Sequence, residues 1–198
     1  MSRLVDQAIA DAGLADLAQA RTDLDFVRVN ALAPLLATAD LLAVGALADR
    51  IRAAEVGDRV RVFAGTRADE GSDVIVVAAD DAGGRGEVLR RVAYARIVGP
   101  HAARVRVDWM STGIELAQVA LGFGASELAG PVLSRRGLPI LSDSTQKVKG
   151  AGLVSSQLLK KKELSTLVRI AGRIPVFAPE STPSASTQSE GGGSLEHA

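Results

Sequence analysis

The chain has 198 residues, 47% hydrophobic and 23% charged, the balance of a soluble globular protein with apolar content for one sizeable core. Its 23 Lys and Arg are matched by 23 Asp and Glu, so no bulk charge draws nucleic acid or a membrane surface. Cysteine is absent, which excludes disulfides, thiolate nucleophiles, Cys-ligated zinc and Cys-held iron–sulfur clusters from this sequence together.

The N-terminal stretch "MSRLVDQAIADAGLADLAQA" is amphipathic, without the basic start and unbroken apolar run of a secretory signal. No stretch reaches the roughly 18 apolar residues of a membrane span, and a cytoplasmic location is expected. Leu4, Ala8 and Ile9 recur at helical spacing, and Ala33 to Ala54 reads as a longer helix with Pro34 in its first turn. After Gly57, "DRVRVFAG" alternates Val60, Val62 and Ala64 against Arg59, Arg61 and Phe63, a strand with one drier face. "DVIVVAAD", an almost continuous β-branched run, predicts a strand buried on both faces of a parallel sheet. A helix follows from Glu87 to about Val98, then a strand from Val105 to Trp109, then a helix from about Thr112 to Phe123.

Further on, "LPIL" at 138–141 reads as a short strand and "SDSTQKVKGAGLVSSQ" as a loop. "KELSTLVRIAG" reads as a helix stopped by Gly172, and "RIPVF" as a last strand. From Pro179 the Pro/Ser/Thr/Gly composition has no apolar face; that tail is expected to be disordered, with "GGGSLEH" resembling a linker and vector remnant. Alternating strands and helices predict α/β layering, divided into a helical segment 1–57, an α/β domain 58–178 and the tail 179–198.

Four segments in order carry a resemblance: "DLLAVGALADRIRAAEVGDRVRV", "VLRRVAYARIVGPHAARVRVDW", "GIELAQVALGFGASELAG" and "ELSTLVRIAGRIPVF". Together they resemble the radical SAM enzymes of the futalosine route to menaquinone, aminofutalosine synthase and dehypoxanthine futalosine cyclase. That resemblance implies a partial (β/α) barrel remnant with about four or five mainly parallel strands, since Arg67 to Gly86 replaces the middle of a fold that runs to about 250 residues. In the family a CxxxCxxC loop after the first strand holds a [4Fe–4S] cluster; here "RVRVFAGTRADEGSD" offers no thiol. The expectation is therefore a degenerate, non-catalytic relative without a cofactor. An arc of four or five strands cannot close, so its edges need cover from the leading helices or from a second copy, and a homodimer is favoured.

Ligands of (β/α) folds gather at the carboxyl ends of the strands, which marks Asp108, Trp109, Ser111 and Thr112. Ser111 or Thr112 would alternatively cap the following helix, with Glu115 completing a capping box. The resemblance implies a nucleoside-like ligand or S-adenosylmethionine there, with Trp109 as a stacking surface and Asp108, Ser111 and Glu115 as polar contacts; a pathway enzyme is the alternative partner. A second candidate, Asp80, Asp81, Gly83, Gly84, Arg85 and Gly86, has the strand–turn–helix layout of a phosphate loop but neither GxGxxG nor P-loop spacing. A splice loop is the competing reading. A Ser-His-Asp triad would have to use His101, Ser111 and Asp108 and lacks a nucleophile elbow, and no histidine spacing suggests a metal.

Basic residues gather between Ser134 and Arg173, but without interleaved aromatics, so nucleic acid is not the expected partner. "QLLKKKEL" reads as a solvated face or as a docking edge for an acidic partner or phosphate group. Two functions stand side by side: a binding or accessory protein, and a structural protein that self-assembles through its open sheet edge.

Overall fold

The computed structural model describes residues 3–64, 73–79, 84–133, 139–140 and 159–178. Helices α1 (Arg3–Asp11), α2 (Ala15–Thr22), α3 (Phe26–Leu32) and α4 (Leu41–Glu55) form the lead-in. Asp25 and Asp40 begin α3 and α4 by accepting hydrogen bonds from the amides of Arg28 (3.0 Å) and Ala43 (2.9 Å). The expected single helix from Ala33 to Ala54 is two pieces, a 3-10 turn Ala33–Ala37 and then α4, because Asp40 starts a fresh helix. Strands β1 (Arg59–Ala64) and β2 (Val74–Val77), helix α5 (Arg85–Val98) and strand β3 (Arg104–Asp108) follow.

Next come α6 (Trp109–Thr112), α7 (Ile114–Ala120), a 3-10 turn Leu121–Phe123 and β4 (Glu127–Gly130). Instead of one helix from Thr112, the chain turns helical at Trp109 and breaks at Gly113, whose φ of +80° interrupts the helix. Short strands β5 (Val132–Leu133), β6 (Pro139–Ile140) and β7 (Leu159–Lys160) precede α8 (Lys161–Ile170) and β8 (Ile174–Phe177). Leu138 and Leu141, the polar stretch 142–157 and the tail lie outside the described residues.

The main sheet has five strands, all parallel, in the order β2-β3-β4-β1-β8. Strand β1 lies next to the late strand β4, as the first and last strands of a closed cylinder do. The sheet is thus a five-stranded parallel arc of the (β/α) barrel type, with β2 and β8 at its edges. Val60, Val62, Val105, Val107 and Leu128 join one core with Leu47, Ile51, Val92, Ala93, Ala117 and Ala120 from α4, α5 and α7. A smaller sheet has β5 antiparallel to β6 and parallel to β7.

The β2 expectation needs correction. Its β-branched run is not covered on both faces: among the described residues β2 is an edge strand pairing only β3, and Val76 is 48% exposed. Composition reports a taste for extended backbone, whereas burial is decided by what lies alongside.

Candidate functional site

At the carboxyl end of the arc, Asp108 ends β3 and caps α6, its Oδ1 accepting from the Met110 amide at 2.8 Å. Ser111 and Thr112 do not cap; each hydroxyl donates back to the Asp108 carbonyl at 3.0 Å. Ser111 Oγ also accepts from the Ala79 amide at 3.3 Å, tying the end of β2 to α6. Glu115 is exposed in the first turn of α7 and forms no capping box, because Gly113 stands at the N-cap. Trp109 is 0% exposed, packed so closely on Gly130 that a Cβ there would lie 2.2 Å from the indole. The stacking surface expected of Trp109 is therefore wall rather than pocket.

Burial raises the Asp108 carboxyl above the ordinary 3.8, opposed by the Met110 amide. Burial thus disfavours the ionised form relative to the unfolded chain. Asp108 adds stability fully below pH 3.8, and this contribution is lost as pH rises through its higher folded value. Asp108→Asn keeps the capping oxygen and removes the ionisation, so it is expected to match wild type at pH 3.5 and exceed it at pH 7 in urea titrations. Asp108→Ala, which loses the cap, is expected to cost about 1 kcal/mol at both.

Of the phosphate-loop candidates, Asp80, Asp81 and Gly83 lie outside the described residues; Gly84 precedes α5 in extended conformation, and Arg85 and Gly86 open the helix, all three exposed. His101 lies in the turn before β3 and Asp108 at its far end, with the strand's length of about 13 Å between them at a strand's rise per residue, so no triad forms.

The face of the sheet opposite the valine core holds a constellation that pattern reading missed. Across the strands run Val76, Arg106, Glu127, Arg61 and Val176, in register from edge to edge. Glu127 is fully buried, and its Oε2 lies 2.9 Å from Arg106 Nε and 2.8 Å from Nη2. Its Oε1 faces Arg61 Nη1 at 3.3 Å and Arg104 Nη1 at 3.5 Å. Arg106 and Arg61 flank the Phe63 ring, 4.4 and 5.1 Å from its centroid. At the amino end Arg104 grips Asp73 with two bonds (Nε–Oδ2 3.1 Å, Nη2–Oδ1 3.0 Å), which hold the Asp73 carboxyl below its usual range. The signal was present twice, as "RVRV" at 59–62 and at 104–107: period-2 arginines on one face and valines on the other.

A parallel arc whose first strand abuts a late one, with helices on one face, defines a protein of the (β/α) barrel class. No protein-family model matches the chain. It is 34% identical over 88 residues to 5-amino-6-(D-ribitylamino)uracil–L-tyrosine 4-hydroxyphenyl transferase of Archaeoglobus fulgidus, covering 44% of this chain and 23% of that one. It is 33% identical over 89 residues to cyclic dehypoxanthine futalosine synthase of Streptomyces coelicolor (45% and 19%). A third match, 33% over 88 residues, is aminodeoxyfutalosine synthase of Thermus thermophilus (44% and 21%). The chain is a relative of the futalosine-pathway enzymes and spans about a fifth of the length of the curated relatives it matches. Among the described residues no helix is long and apolar enough to cross a membrane.

Proposed function

We propose that this protein is a non-catalytic binding or accessory relative of the radical SAM enzymes, linked to menaquinone biosynthesis. The observation that carries this reading is the pairing of β1. One flank is taken by β4 and the other by β8, so the place beside β1 where a barrel's second strand would run is filled. The chain continues from β1 into "GTRADEGSD" without a thiol, and the described residues contain no group of three His, Cys, Asp or Glu side chains. That donor set does not fit an iron–sulfur cluster. Anaerobic reconstitution with iron and sulfide is expected to yield neither cluster absorbance nor cleavage of S-adenosylmethionine; a cluster that cleaves it would overturn the reading.

The ligand half of the proposal is a nucleoside-like molecule at the carboxyl end of the arc, met by Asp108, Ser111, Thr112 and the exposed Glu115. The half-buried acid at Asp108 supports it, since a carboxyl kept partly from water is suited to a directed hydrogen bond. Purine nucleosides or S-adenosylmethionine are expected to raise the melting temperature, and Asp108→Asn with Ser111→Ala to abolish the rise. No shift with any of them removes the ligand.

A second reading, self-assembly, is favoured by the two sheet edges, where Val76 of β2 and Ile174 (55% exposed) and Val176 of β8 are left uncovered. Light scattering separates the two: a stable dimer indifferent to nucleosides supports assembly, and a ligand-responsive monomer supports binding.

A further inference from the structure

Among the described residues, the charges on this face of the sheet do not cancel. Arg106 is matched by Glu127 through two contacts to Oε2, and Arg104 is matched by Asp73 through its two-bond fork. That leaves Arg61 and Arg59, two residues apart on β1 and therefore on the same face. Arg61 shares Glu127 at 3.3 Å while its side chain remains 42% exposed. Arg59 is exposed and has no hydrogen-bond or ion-pair partner among the described residues. Both line a cavity of about 440 Å³ at the amino end of the arc, with Arg104, Asp73 and Glu127 behind them and Val56 and Val176 along its side.

We infer that this cavity binds a phosphate monoester, with Arg59 and Arg61 as its anion receptors. Two surplus guanidinium groups match the dianion in charge, and their planar N–H forks match its oxygens in geometry. Glu127 and Asp73 do not repel it at full strength, because each is already held by an arginine of its own. Glu127 and the Phe63 ring instead brace Arg61, so that little of its freedom remains to be lost on binding. The cavity exceeds a phosphate group and is bordered by valines, which calls for a monoester with an apolar or flat remainder rather than a bare ion. The site lies at the opposite end of the strands from Asp108 and does not rest on the nucleoside reading.

Calorimetric titration at low salt with inorganic phosphate, adenosine 5′-monophosphate and adenosine tests it. Both phosphates are expected to bind, the monoester more tightly than the bare ion, and Arg59→Gln and Arg61→Gln each to weaken them at least about tenfold. Since Arg59 is exposed and makes no contact the fold needs, its variant separates binding from folding. Phosphate heats equal to those of chloride at matched ionic strength would overturn the inference, as would affinities untouched by Arg59→Gln. Adenosine binding that survives Arg59→Gln belongs to the carboxyl-end site and leaves the inference standing; adenosine binding weakened by Arg59→Gln as much as that of its monophosphate would overturn phosphate recognition here.

Discussion

Glu127→Ala is expected to lose about 3–5 kcal/mol of folding stability, the range seen when one partner of a buried ion pair is removed. The carboxylate is fully buried, and Arg106 beside it is 1% exposed, so truncation leaves a buried guanidinium without its close counter-charge. Against a typical total of roughly 5–15 kcal/mol, the loss is a large share of what keeps the chain folded. Glu127→Gln keeps the volume and one acceptor oxygen but not the charge, and is expected to fall between wild type and alanine. Replacing Arg106 and Glu127 together by methionine and leucine is expected to recover most of the loss, because the cost lies in the unpaired charge rather than in the pair's absence. Urea midpoints at pH 7, with an unchanged denaturant slope, give the measurement. A single alanine variant as stable as wild type would mean that water reaches the row.

Whether a feature was legible in the sequence depended on how far its cause reached. Strand β1, helix α5 and strand β8 were readable because their causes are local: alternation at Arg59–Phe63, a glycine pair in the sequence before Arg85, and Gly172 between α8 and "RIPVF". Strand β2 had equally strong local signals, yet its burial was misjudged, since nothing in "VIVV" says that only β3 will pair with it. Ser111 and Thr112 do not cap the helix expected from Thr112, because the chain is already helical from Trp109, with Asp108 as its cap, and Gly113 stands at the N-cap of α7. Arginines were the largest omission. Arg106 and Glu127 are separated by 21 positions, and a charged residue looks solvated until its distant partner is placed beside it.

Glu55→Ala is the other substitution expected to cost about 3–5 kcal/mol, for a similar reason in a different place. Glu55 ends α4, and its carboxylate lies 2.6 Å from Arg21 of α2 and 3.9 Å from Arg96 of α5. It also accepts the Ala102 amide at 2.9 Å, holding a non-glycine residue at a φ of +55° in the turn before β3. Burial presses on both arginines, lowering the Arg96 pKa to about 10 and that of Arg21 in the same direction, with Glu55 the main opposing influence. Both stay protonated at pH 7, so removing the carboxylate leaves two buried positive charges facing each other. Arg96 retains the Gly124 and Ala103 carbonyls and Ser126 Oγ; Arg21 retains the Phe26 ring and the Pro100 carbonyl at 3.4 Å. The lead-in helices should therefore loosen first. Hydrogen exchange in Glu55→Ala is expected to rise in α1 to α3 before β1 and β3, whereas Glu127→Ala should raise it across the sheet. Uniform exchange in both variants would mean that lead-in and arc unfold as one unit, with Glu55 bracing a body already rigid without it.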